Sequence, residues 1–132
     1  MKLLPAAAMC TLALAAAGCG DGDDEPAGAA ARLEVVVRPD GAGMEARRVK
    51  IDCDVLGADA SSAICRRIGG LTRADLAPVP EDMACAQVYG GPAVATVKGT
   101  LDGEPVEARF DLSDSCEIER WRRNRDLLGT AH

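Results

Sequence analysis

The hydrophobic pattern of this chain changes character twice before it settles. An alanine- and leucine-rich run from Leu3 to Ala17 gives way to a stretch, Gly20 to Ala31, without one large apolar residue, and alternation then begins. Leu33-Glu34-Val35-Val36-Val37-Arg38 is rich in β-branched residues and bounded by Pro39-Asp40-Gly41, which predicts a strand. Arg48-Val49-Lys50-Ile51-Asp52-Cys53 predicts a second, with Val49, Ile51 and Cys53 on one face. Gly41 to Ala46 joins the two most simply as a hairpin. A third strand spans Ala93 to Leu101, with Ala95, Val97 and Leu101 facing one way. Asp102-Gly103 is a strong hairpin signal. Val106 to Leu112 then alternates without a fault, with Val106, Ala108, Phe110 and Leu112 inward.

Two segments follow helical spacing instead. In Ala63 to Leu76, Ile64, Ile68, Leu71 and Leu76 form one apolar face, but Gly69-Gly70 interrupts it, so one or two short helices are expected. Thr72-Arg73-Ala74-Asp75 has the form of a helix start, and Pro78 and Pro80 mark a stop. Glu117 to Leu128 reads as a helix with Ile118, Trp121 and Leu128 toward the domain. The class is α+β: an antiparallel sheet of four to five strands, two short helices on one side, and two disulfides. Arg120, Arg122, Arg123 and Arg125 read as the solvated face of the last helix, with cations favoured near its end. Contact with anionic lipid headgroups is the functional alternative.

The opening run carries little charge, only Lys2, and is too short and alanine-rich for a spanning helix. It ends in Ala16-Ala17-Gly18-Cys19, the form of a lipobox. Residues 1–18 are therefore read as a lipoprotein signal peptide, and Cys19 as the lipidated residue. Several acyl chains anchor stably where one binds only marginally. Residues 19–31 form an acidic, alanine-rich tether that cannot bury enough surface to order itself. Residues 32–132 form the one folded domain. The expected location is extracytoplasmic, anchored to the cell membrane by lipid, or secreted if the lipobox is not used.

Cys10 leaves with the signal and Cys19 takes lipid, so Cys53, Cys65, Cys85 and Cys116 remain. Four cysteines in an exported domain imply two disulfides, with three pairings open. One Trp, one Tyr and one Phe make a thin core, so such staples matter. Losing Lys2 leaves 14 basic against 21 acidic residues, which argues against a nucleic-acid partner. The sole histidine, His132, ends the chain. Without a placed histidine no Ser-His-Asp or Cys-His site can be assembled, so an enzyme is not expected. No CxxC pair offers a zinc site, and no metal or other cofactor is expected.

One constellation points to an activity. Cys85-Ala86-Gln87-Val88-Tyr89 stands before Gly90-Gly91-Pro92, which is turn chemistry, and is followed by Thr96-Val97-Lys98-Gly99 and by Cys116-Glu117. This order resembles the Streptomyces subtilisin inhibitor family over roughly Leu33 to Glu117. The resemblance implies a five-stranded antiparallel sheet with two helices, and disulfides in sequential order, Cys53–Cys65 and Cys85–Cys116. It implies association as a homodimer through the sheet and inhibition of subtilisin- or trypsin-type serine proteases outside the cell. By resemblance the reactive loop is Ala84, Cys85, Ala86, Gln87, Val88 and Tyr89, with Gln87 as P1, Val88 as P1′ and Gln87–Val88 as the scissile bond. Cys85, Ala86 and Tyr89 become P3, P2 and P2′. An envelope lipoprotein that binds another protein through the same fold, without inhibiting it, is the alternative.

Overall fold

The computed structural model describes residues 30–41, 43, 45–53 and 63–131. The signal segment, Cys19, most of the tether, residues 42, 44 and 54–62, and His132 lie outside the described residues. Four strands form one antiparallel sheet in the order β2-β1-β3-β4: β1 is Ala31–Arg38, β2 Arg47–Cys53, β3 Val94–Leu101 and β4 Glu104–Phe110. The chain is α+β as the pattern predicts, with four strands among the described residues.

Alternation sets the two faces. Leu33, Val35, Ile51, Ala95, Val97, Leu101, Ala108 and Phe110 are buried on one side. The other side carries Arg32–Asp52, Arg48–Glu34 and Lys98–Glu107 ion pairs between neighbouring strands. Val36 breaks the alternation and is also buried, because β1 is flanked on both sides and Val36 sits between Arg48 and Thr96. An uninterrupted Val35-Val36-Val37 is thus the mark of an interior strand. The strand begins two residues earlier than the sequence suggests: Ala31 is fully buried, opposite Cys53 and Leu101, and the Ala30 carbonyl accepts from the Asp102 N–H. Asp102 and Gly103 both have positive φ, 53° and 78°, the two-residue turn that strand twist favours. Gly99 is needed for contact as well as for its φ of 147°, since a Cβ there would run into the Arg32 carbonyl.

Short helices cover the apolar face. These are α1 (Ala63–Ile68), α2 (Arg73–Leu76), α3 (Ser115–Arg123) and α4 (Arg125–Leu128), closed by a 3-10 turn, Gly129–Ala131. Gly69 and Gly70 do separate α1 from α2. Thr72 and Asp75 form the expected reciprocal cap, with the Thr72 N–H and hydroxyl both donating to the Asp75 carboxylate. The last helix differs from expectation. It breaks at Asn124, and Leu127, Leu128 and Ala131 all enter the core.

Arg120 does not belong to a solvated face. It is 3% exposed, stacked 4.1 Å over the Phe110 ring, and donates to the carbonyls of Arg109 (2.6 Å) and Leu76 (2.8 Å) and to the Glu117 carboxylate (3.1 Å). The reason is local. A four-residue helix such as α2 ends with carbonyls that its own turns cannot satisfy, and a buried guanidinium supplies donors in a fixed fork. Asn124 completes the tie by donating to the Asp75 carbonyl at 3.0 Å. Arg122, Arg123 and Arg125 remain exposed, Arg122 in an ion pair with Glu119.

Candidate functional site

The structure pairs the four described cysteines as Cys53–Cys65 and Cys85–Cys116, with Cα separations of 5.6 and 5.5 Å. The second bridge belongs to the site. It forms because α3 starts where it does. Asp114 caps the helix, its carboxylate accepting from the Cys116 and Glu117 N–H groups at 2.9 Å each. That cap fixes Ser115 and Cys116 at the first turn, facing the segment that runs from Ala84 to Gly90.

Ala84 to Gly90 is in neither helix nor strand, yet it is held at both ends. On one side stand the Cys85–Cys116 disulfide and a two-way pairing of Ala86 with Ser115. The Ala86 N–H donates to Ser115 Oγ at 2.9 Å, and the Ser115 N–H donates to the Ala86 carbonyl at 3.0 Å. On the other side the Gly90 N–H donates to the Leu112 carbonyl at 2.8 Å. Packing favours glycine there, since a Cβ would sit 3.0 Å from the Ile118 side chain and 3.1 Å from Leu112 and would have to press them aside.

Gln87, Val88 and Tyr89 project between these anchors. The Val88 N–H turns back onto the Ala86 carbonyl at 2.8 Å, and Gln87 has negative φ, so Gln87 occupies the centre of an inverse γ-turn. The segment is therefore a tight, held turn at its centre rather than a fully extended strand. The backbone N–H and C=O groups of Gln87 and Tyr89 make no hydrogen bond among the described residues, and both residues are exposed. Met83, Val88 and Tyr89 are the large hydrophobics exposed among the described residues, at 52%, 52% and 72%. All three fall within seven residues of one another, around Gln87. Exposed apolar side chains gathered on one held loop, beside unpaired backbone groups, are what a protein-binding surface offers.

An open groove of about 460 Å³ runs along the Met83 side of this loop, between Val79, Pro80, Met83 and Cys116, Glu119, Arg123. Cys85, Asp114 and Cys116 bring ligand-type atoms close together. Both sulfurs are spent in the disulfide and the carboxylate caps α3, so the cluster is not a metal centre.

Every residue of the expected loop, Ala84 to Tyr89, lies in this one feature, and Cys116 lies beneath it. Sequence reading missed the rest of the support: Ser115, Asp114, Leu112 and the packing role of Gly90. Ser113-Asp114-Ser115 before a helical run does signal a cap. Nothing in the sequence, however, says that Ser115 meets Ala86, 29 positions away. Compared with protein-family models, with curated proteins and with solved structures, the chain matches none.

Proposed function

We propose that this domain is an exported, lipid-anchored inhibitor of a subtilisin- or trypsin-type serine protease, which it engages as a substrate with Gln87–Val88 at the catalytic serine. One observation carries the reading: Gln87, Val88 and Tyr89 are exposed, with the Gln87 and Tyr89 backbone groups unpaired among the described residues, on a loop fixed at both ends. A protease cleft reads backbone N–H and C=O groups, and a loop already held in place loses little entropy when it binds. The motifs around Cys85 and Cys116 resemble the Streptomyces subtilisin inhibitor family and support the same reading. The helix after Cys116 departs from that family's closing strand. The tether at Cys19 keeps the inhibitor at the membrane surface, where it meets extracellular proteases.

The test is a titration of the chain from Gly20 onward, which lacks the lipidated cysteine and keeps Ala30 and Ala31, against a subtilisin and a trypsin. Stoichiometric inhibition with slow cleavage confined to Gln87–Val88 is expected. Rapid turnover at that bond, or no interaction with either enzyme, would sink the reading and leave the non-inhibitory binding module.

A further inference from the structure

The geometry points to Ser115 as the residue that positions both ends of the reactive bond for religation, an inference that rests on Gln87–Val88 being that bond. In the cleavage step the protease serine oxygen bonds to the Gln87 carbonyl carbon. The Gln87 C–N bond breaks, and the serine proton leaves on the Val88 amine. Religation runs backward: the Val88 amine attacks the ester carbon, the C–N bond re-forms, and the proton returns to the serine oxygen. An inhibitor stays intact when this return is faster than attack by water.

Return requires the acyl carbon and the amine to remain neighbours after the bond breaks. On the acyl side, Ala86 is one residue from Gln87 and is gripped twice by Ser115, through its N–H to Ser115 Oγ and through its carbonyl from the Ser115 N–H. On the amine side the first anchor is two residues away, at Gly90 on Leu112. That side is the looser one, but it has a second hold. The Val88 nitrogen lies 2.8 Å from the Ala86 carbonyl, the same oxygen that Ser115 fixes. Ser115 therefore holds the acyl end directly and, through the Ala86 oxygen, holds the nucleophile of religation beside it. Capping by Asp114 keeps Ser115 itself in place. The Cys85–Cys116 bridge tethers the acyl end covalently, on the far side of Ala86 from the reactive bond. The Ser115 N–H fixes the oxygen that both ends share, and the Ser115 hydroxyl, by accepting from the Ala86 N–H, keeps Ala86 seated on that donor.

Ser115→Ala removes the hydroxyl and leaves the backbone donor, and Ser115→Thr restores an acceptor. The test compares both variants with the unaltered chain from Gly20 onward. Without protease, amide exchange at Ala86 is expected to rise about tenfold in the alanine variant, with the core amides of Val35 and Val97 unchanged and the threonine variant close to the parent. With a subtilisin, the alanine variant is expected to associate at the parent rate. Its equilibrium ratio of intact to Gln87–Val88-nicked chain falls by about three- to tenfold, and its hydrolysis accelerates. Unchanged exchange at Ala86 together with an unchanged intact-to-nicked ratio would overturn the assignment while the inhibitor reading stands. A parent chain that is neither bound nor cut defeats the inhibitor reading itself, and the religation role with it.

Discussion

The Cys53–Cys65 bridge lies inside the core, both cysteines under a tenth exposed, whereas Cys85–Cys116 lies half-exposed beneath a loop that belongs to no strand or helix. The first joins the end of an edge strand, β2, to α1, a helix of six residues that could not persist alone. The second joins a projecting segment to the first turn of α3. Chain entropy ranks them by the loops they close, with sequence separations of 12 and 31, worth about 3 and just under about 4 kcal/mol. Location ranks them differently. A bridge in the core holds a layer of the fold together, and a bridge under a loop holds the shape of what the loop exposes. The unfolded chain sees only the length of the loop, while the native protein sees what the loop carries.

The sharpest way to break the comparison is to remove each bridge in turn. Cys85→Ala with Cys116→Ala frees Gln87, Val88 and Tyr89, whose backbone ordering is worth about 1–2 kcal/mol per residue. On the proposed inhibitor reading, inhibition is expected to fall by about a hundredfold or more, read as an inhibition constant, with the sheet intact by circular dichroism. Cys53→Ala with Cys65→Ala is expected to lower unfolding free energy by about 3 kcal/mol or more, read by chemical denaturation. In that variant the folded fraction should still inhibit as the parent does. If the first pair of substitutions left inhibition unchanged, the division between staple and clamp would be lost.

Arg120 tests whether the two regions are mechanically separate, because it joins them. It stands one turn past Cys116 and donates to the Leu76 carbonyl in the helix layer that Cys53–Cys65 secures. Arg120→Ala leaves the Leu76 and Arg109 carbonyls without their donor and strips the Phe110 ring of its stacked cation. A loss of about 3 kcal/mol is expected. Arg123→Ala, exposed on the same helix, should change stability by less than about 0.5 kcal/mol. Equal effects of the two would contradict the burial that separates them.

The strands, the Asp102-Gly103 turn and the Thr72–Asp75 cap were legible because each is written in nearest-neighbour chemistry: alternation, φ preference, a side chain reaching three residues on. The break at Asn124 and the burial of Arg120 were not. A run of four arginines within six residues looks like a solvated face, and only the unsatisfied end of α2, far away in the chain, gives one of them a reason to be inside. The same limit applies to the loop. Cys85 and Cys116 are visible as a pair once disulfides are expected, whereas Ser115 is an ordinary helix-start serine until folding brings Ala86 against it. Contacts with no compositional mark are the ones sequence reading loses.

A smaller change separates shape from specificity within the clamped region. Gln87 is exposed, so Gln87→Met should leave the unfolding midpoint where it is. In a hydrophobic protease pocket the glutamine amide must shed water without a sure partner, a cost of about 1–3 kcal/mol that methionine avoids. Inhibition of a subtilisin with such a pocket should tighten by about tenfold or more, with the Ala86–Ser115 and Gly90–Leu112 hydrogen bonds untouched. No gain, or a weaker complex, would mean that the reading protease makes a specific hydrogen bond to the amide.

The smallest expected effect lies on the staple side and is set by pH. The hydroxyl of Thr72, and then its N–H, donate to the Asp75 carboxylate at 2.6 and 2.8 Å and hold its pKa below the ordinary 3.8. Partial burial pushes the other way, and the Arg123 charge adds a lesser downward pull. Because the folded pKa is the lower one, the folded state holds the proton less tightly than the unfolded state. The cap's contribution is therefore complete above the unfolded value and drains away as pH falls through the folded one. Solvent screens this exposed pair, so the contribution is roughly 0.5 kcal/mol or less. Asp75→Asn should lose it at neutral pH and flatten the acid end of a stability-against-pH curve by the same amount. Inhibition at neutral pH should not move, since α2 secures the helix layer while Asp114, Ser115 and Leu112 secure the loop. A change in inhibition from Asp75→Asn would show that the helix layer and the reactive loop answer to each other after all, with Arg120 the residue through which they do so.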